Sequence, residues 1–264
     1  MKKTNTIRNK IWILLFYVVL IGLWQLIYYL GANVFGWWKP YAFPNPQGVA
    51  LSFVDLMDEA KLVIAILYSF KNCLSGFAIS VVIGVILGLF ISFFPKAGNA
   101  VKPLISGIQS LPSICWVPFA ILWFGLKESS ILFVIVMGSI CSVIVAIDSS
   151  FKSVPPMYVK VARTLGADNV SLYRYVLLPA ILPMVVSGLR QAWSFAWRAL
   201  MSAEVMSASA TIGLGFLLES GRGYSDINQV GMVMIVIILL GIAVDKCVFS
   251  TIENKLLRKR GMLT

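Results

Sequence analysis

Tyr158-Val-Lys-Val-Ala-Arg-Thr-Leu-Gly166-Ala-Asp-Asn-Val-Ser-Leu-Tyr-Arg-Tyr-Val-Leu-Leu-Pro179 lies between two strongly apolar stretches of the chain. A polar, net-basic segment flanked by membrane-length runs belongs in water, since each charge buried in lipid costs about 3 kcal/mol. Met157, Val161 and Leu165 recur at i, i+4 and i+8, which predicts a short helix with one apolar ridge. Gly166 is suited to end that helix in the left-handed conformation. Asp168 or Asn169 then caps a second helix carrying Leu172, Tyr173 and Val176, and Pro179 and Pro183 mark the entry into the next apolar run. A short helix with an exposed apolar ridge fills a groove on a partner; lying on lipid headgroups is the alternative reading.

The rest of the chain agrees with a membrane setting. Of 264 residues, 59% are apolar and 12% charged, with a mean hydropathy of +0.88, against about 45–50% and about 25% in soluble domains. Continuous apolar runs of this length predict helices rather than barrel strands. Net charge is +11, but no basic stripe is interleaved with stacking aromatics, so nucleic acid is not an expected partner. The chain has no histidine, which removes His-based triads and His metal sites. Cys73, Cys115, Cys141 and Cys247 form no Cys-x-x-Cys pair, and three lie in apolar runs as small hydrophobes.

Six spans are expected: about 11–30, 70–94, 103–124, 130–147, 180–203 and 230–249. The first follows a basic N-terminus and is too long for a signal-peptide core, so it reads as an uncleaved span. After it, Trp37 to Pro46 is an aromatic, Pro-rich interfacial stretch, and 47–68 reads as an amphipathic surface helix carrying Asp55, Asp58, Glu59 and Lys61. Gly84-x-x-x-Gly88 allows close helix approach in the second span. Pro112 and Pro118 interrupt the third, which is tolerated where neighbours or a cavity satisfy the freed backbone. A Gly/Ser-rich hydrophilic stretch, 207–228, separates the last two spans.

Fourteen basic residues fall on one side of this arrangement: Lys2, Lys3, Arg8, Lys10, Lys96, Lys102, Lys152, Lys160, Arg163, Arg174, Lys255, Arg258, Lys259 and Arg260. Five fall on the other: Lys39, Lys61, Lys71, Lys127 and Arg222. The positive-inside rule then predicts that both termini and the central loop are cytoplasmic.

Lys160-Val161-Ala162, Gly166 four residues after Ala162, and Val176-Leu-Leu178-Pro179 after nine more resemble the signature loop of inner-membrane permeases of bacterial ATP-binding-cassette importers. Lys160 stands where the family carries Glu, and Val161 where it carries the first Ala. Phe43-Pro-Asn-Pro46, Leu74-Ser-Gly-Phe77 with Gly84 and Gly88, Leu111 to Pro118 with Trp123-Phe-Gly125, and Ser187-Gly-Leu-Arg190 through Trp197 to Glu204 resemble the nitrate, sulfonate and taurine branch. The resemblance implies an all-α transmembrane permease domain over 1–264, with a core at about 70–250 and an ATPase-coupling loop at about 148–178. It implies Lys160, Val161, Ala162, Leu165, Gly166, Val176, Leu178 and Pro179 as coupling residues. Partners would be two ATPase subunits, an extracytoplasmic substrate-binding protein, a second permease copy and the bilayer of the bacterial inner membrane. ATP and Mg would belong to the ATPase, with no cofactor or metal here; the chain contains no Gly-x-x-x-x-Gly-Lys-Ser/Thr phosphate loop. The cargo would be a sulfonate, taurine or nitrate, or else an aromatic heterocycle such as a vitamin precursor.

Ser187, Gln191, Ser194, Arg198 and Ser202 follow one another at spacings of four, three, four and four, which puts them on one face of the fifth span. Such a stripe is expected to face protein or a water path. Arg198 there meets an anionic cargo, which its forked donors suit, or pairs with Glu204 or an acid on a neighbouring helix, or snorkels outward. Arg190, Trp197 and Glu204 read as a packing seam, and Asp148, Asp245 and Lys246 as interfacial anchors. A secondary carrier or channel would show inverted repeats, broken helices and buried acids, and a membrane enzyme would show clustered acids, His or Cys; the sequence offers little of the first and almost nothing of the second.

Overall fold

The computed structural model describes residues 2–39, 41–207 and 212–259, with side chains from residue 11 onward except 257 and 259. Lys2, Lys3, Arg8, Lys10, Lys259 and Arg260 of the topology count, and 208–211 of the hydrophilic stretch, lie outside the described residues or side chains. The described residues are all-helical apart from turns. Five helical stretches are long and apolar enough to cross a membrane: Ile11–Val34, Lys61–Phe93, Glu128–Lys152, Asn169–Met206 and Ile227–Leu256. Pro95–Ser110 with Ser113–Phe124, a pair bent by 96°, makes a sixth where the two are counted as one span.

The expected third span is therefore a broken one. Helix α4, Pro95–Ser110, stops where Leu111 turns extended ahead of Pro112, and a 3₁₀ turn, Ser113–Trp116, leads into α5, Val117–Phe124. The surface helix expected at 47–68 is also corrected. Helix α2, Pro46–Asp58, ends at Glu59, where Ala60 adopts φ 55, and the next helix starts at Lys61.

The chain divides into two compact units. The first comprises the residues up to Ala65 with Leu217–Val236. In it, α1, Lys2–Tyr29, leaves each apolar side chain from Ile11 to Ile21 at least half exposed, as a helix apolar all round does in lipid. Trp24 Nε1 donates to the Pro44 carbonyl at 2.9 Å, and Asn45 N–H to Asn228 Oδ1 at 3.0 Å. The Asn45 side chain caps α2 by accepting from Gly48 N–H, with Pro46 at the first helical position.

The second unit holds Ile66–Phe216 and the chain from Ile237 onward. Its axis is α6, Glu128–Lys152, with Ile131, Ile135 and Val143 fully buried. Helix α3, Lys61–Phe93, lies against it through the expected glycines: a Cβ on Gly84 would stand 2.7 Å from Val143 Cβ, and one on Gly88 2.7 Å from Ile147 Cβ. Small residues at such seams let backbones approach where lipid supplies no hydrophobic drive. On the other flank, α6 Gly138 meets Ala199, and Gly188 meets α6 Ala146, bringing in α9, Leu178–Met206. Serines inside this packing bond locally: Ser139 Oγ donates to the Ile135 carbonyl at 2.8 Å and lies 2.8 Å from Ser80 Oγ.

Two charges expected to be interfacial anchors, Asp148 and Asp245, are held in ion pairs. Asp148, 7% exposed, accepts from Lys102 and Lys152, each at 2.9 Å. Arg190 forks onto both oxygens of Asp245 at 2.5 Å and reaches Glu253 at 3.1 Å, so it fastens α9 to the π turn Asp245–Phe249 and to α12, Ser250–Lys259.

Gly84→Ala places a methyl group into Val143 and is expected to cost about 2 kcal/mol by overpacking. Gly107→Ala meets open space and is expected to leave stability unchanged. Thermal unfolding of the detergent-solubilised protein measures both.

Candidate functional site: a folded loop and a cavity on one helix

The central loop is helix, break, helix, as its sequence predicts. Helix α7 runs Pro156–Thr164 with Pro156 in its first turn. Gly166 has φ +82; its N–H bonds the Arg163 carbonyl and Ala167 N–H bonds the Ala162 carbonyl, both at 3.0 Å. These paired bonds close the helix end in a Schellman motif. Asp168 is the cap of the next segment, α8, Asn169–Ser171, accepting from Ser171 N–H at 3.0 Å and from its hydroxyl. Those two hydrogen bonds hold the exposed Asp168 carboxyl below the usual carboxylate range.

Helix then continues without interruption to Met206, through a π turn at Leu172–Leu177. There Leu178 N–H reaches the Tyr173 carbonyl, five residues back. The widened turn accommodates Pro179, which lacks an N–H and would press on the carbonyl four residues before it.

The signature positions divide into two sets. Ala162 is 8% exposed and clusters with Leu172 and Leu177, with Val176 packed beside them; together with Gly166 these residues fold the loop. Lys160, Val161 and Leu165 face outward, Leu165 at 82% exposure. Met157 extends the ridge at 69%. Leu178 and Pro179 are exposed at the start of α9.

The polar stripe of α9 occupies its open face: Ser187, Gln191, Ser194 and Arg198 are exposed and Ser202 half-buried, while Ala192, Ala196, Ala199 and Leu200 on the opposite face are fully buried. Arg198 and Ser202 line a cavity of about 640 Å³. The bend between α4 and α5 forms another wall with Gln109, Ser110 and Ser113, and Met137, Phe195 and Trp197 supply apolar surface. Ser187, Gln191 and Ser194 are not among its lining residues. Arg198 Nε donates to the Ser194 carbonyl at 3.2 Å, and its guanidinium carbon lies 4.7 Å from the Phe195 ring centre. Among the described residues it makes no ion pair. Glu204 lies six positions further on, which puts the two on different faces of α9.

Glu204 is the feature that sequence reasoning took for packing. It is 0% exposed, and Ser69 Oγ lies 2.8 and 2.7 Å from its two carboxylate oxygens. Gly215 N–H donates to Oε2 at 2.9 Å, and Leu214 N–H donates to Ser69 Oγ at 2.9 Å. Leu214 and Gly215 open α10, Leu214–Gly223. A glycine precedes that helix, so its orphan N–H groups are capped from α9 and α3 instead. The helix end in turn supplies a donor to a carboxyl group that makes no ion pair among the described residues. The sequence signal was present in Gly213-Leu-Gly215, where any side chain would strike Glu204.

Residues 80–253 match the family described as the binding-protein-dependent transport system inner membrane component. The chain belongs to that family. It is a multi-pass permease subunit of an ATP-binding-cassette importer of the inner membrane, working with an ATPase and a substrate-binding protein and not catalytic itself. The permease is 28% identical over 247 residues to a putative aliphatic sulfonates transport permease of Bacillus subtilis (strain 168), covering 94% of this chain and 87% of that one. It is 26% identical over 217 residues to a taurine transport system permease of Escherichia coli (strain K12), covering 76% and 78%. Its fold is similar to a chain of the MetNI methionine ABC transporter, described as inward facing, with a TM-score of 0.60 at 17% identity over 74% of this chain and 95% of that one.

Ala162→Leu overfills the loop's small core and is expected to cost about 1–3 kcal/mol, read as faster tryptic cleavage at Lys160 and Arg163. Val161→Ser changes an outward position and is expected to leave cleavage unchanged.

Proposed function

We propose that this permease, a single transport domain over 1–264, carries a small anion of the sulfonate or taurine type. The cargo would pass Arg198 and Ser202. The observation that carries this is the Arg198 guanidinium, without an acidic partner among the described residues, at a cavity of about 640 Å³ that also presents Gln109, Ser110 and Ser113. An unneutralised cation at a cavity inside a span favours an anionic occupant, and the flanking hydroxyl and amide groups supply further donors. The sulfonate and taurine permeases among the relatives support the same class. A second reading, an aromatic heterocycle, draws on the Phe195 and Trp197 surface of the same cavity.

The central loop docks on the ATPase. Met157, Val161 and Leu165 form the inserted ridge, Lys160 and Arg163 surround it with positive charge, Ala162, Gly166 and Val176 fold the loop, and Leu178 and Pro179 open α9 at its edge. The basic-residue count supports cytoplasmic termini and a cytoplasmic loop. The exposed stripe Ser187, Gln191 and Ser194, outside the cavity of a single chain, supports a second copy of the permease facing it across the path.

Arg198→Gln removes a charge-assisted contact worth about 1.5–3 kcal/mol and is expected to lower taurine or methanesulfonate uptake by roughly tenfold to a hundredfold; wild-type uptake of both would remove Arg198 from the path. Gly166→Val strains the left-handed cap and is expected to abolish co-purification of the ATPase while membrane insertion persists; undiminished co-purification would argue against the loop as the docking element.

A further inference from the structure

Glu204 does more than fill space at the end of α9. We propose that it is a positioning residue for transport: a latch that fastens the start of α10 to α9 and α3, and whose release is required for the cavity wall to move. The proposal rests on reading the central loop as the ATPase-docking side. Glu204 lies 26 residues beyond Leu178, about 39 Å along the helix at 1.5 Å per residue, and so at the opposite membrane face from the loop. That is the face from which a binding protein delivers cargo.

Three observations carry the proposal. The latch is made of hydrogen bonds from three segments: Ser69 of α3, Glu204 of α9, and the Leu214 and Gly215 N–H groups of α10. An apolar side chain of the same size would pack this spot at no desolvation cost, whereas a polar contact breaks and re-forms as a discrete step. Next, the backbone rides directly on the carboxylate, because a Cβ on Gly213 would stand 2.4 Å from Glu204 Oε2 and one on Gly215 2.4 Å from Glu204 Cβ. The contact thus tolerates little intermediate displacement. Finally, Met201 and Ser202, within one turn of Glu204 on the same helix, line the cavity together with Arg198. Any rotation of this end of α9 that reshapes the cavity either carries α10 with it or undoes the latch. A closed latch therefore biases the resting conformation, and the binding protein has to shift that population.

The test uses the complex of this permease with its ATPase subunits in lipid nanodiscs, assayed for ATP hydrolysis with and without the binding protein. Glu204→Ala is expected to raise hydrolysis without binding protein at least threefold and to bring the ratio of stimulated to unstimulated rate close to one. Ser69→Ala, which keeps the carboxylate, shifts both quantities in the same direction by a smaller factor. Glu204→Gln keeps an acceptor for Gly215 N–H and a group for Ser69, and retains at least half of the wild-type ratio. The proposal is overturned if Ser69→Ala and Glu204→Ala both show the wild-type ratio; where Glu204→Ala does not assemble, a wild-type ratio in Ser69→Ala overturns it alone. It is also overturned if Glu204→Leu restores the wild-type ratio, since packing would then suffice. Co-purification of the ATPase with each variant reports on the loop separately, so a failure of the latch and a failure of the docking reading are distinguishable.

Discussion

Every peptide group that enters lipid has to find its hydrogen-bond partner within the chain, and α9 shows how much that constraint leaves free. From Asn169 to Met206 the backbone stays helical; the π turn absorbs Pro179 instead of allowing a break. One face is given over to small residues that lie on α6, Ala199 against Gly138 and Gly188 against Ala146. The opposite face is then free of packing duty and carries the polar stripe. Asn169 and Ser202 lie about 50 Å apart along this helix, so the loop and the cavity wall belong to one continuous element.

The charges within this framework are not alike. Arg190 is neutralised twice over, by Asp245 and Glu253, and acts as a clamp. Asp148 holds two lysines, one of them on α4, and so ties the broken span to α6. Glu204 is met by hydroxyl and backbone donors rather than a cation. Arg198 lines the cavity of about 640 Å³ with no acid paired to it among the described residues.

Much of this was legible in the residues, because it rests on local chemistry. The Gly166 cap, the Asp168 cap and the Gly84/Gly88 seam each follow from what one or two side chains permit. The α9 stripe followed from helical periodicity, which does not depend on neighbours. What escaped was set by tertiary contacts. Pro112 signalled an interruption, but the 96° bend that turns Gln109, Ser110 and Ser113 toward the cavity depends on what α4 and α5 pack against. Asp148 and Asp245 looked like edge charges because their partners, Lys102 and Arg190, are 46 and 55 residues away in sequence. Glu204 looked like packing because its partners are a hydroxyl 135 residues away in sequence and the backbone N–H of Gly215, which carry no sequence signature beyond the glycines flanking Leu214.

A loop that folds around Ala162 and Gly166 and leads into an unbroken helix to the cavity is suited to pass motion from a separate ATPase to the transport path. The most direct measurement is the labelling rate of a single cysteine at Ser202, in a background lacking the four native cysteines, within the ATPase complex. ATP is expected to change that rate severalfold, and Leu165→Glu on the outward ridge is expected to abolish the change. A labelling rate that ignores nucleotide in the intact complex, or that responds equally with the ridge substituted, would contradict the account.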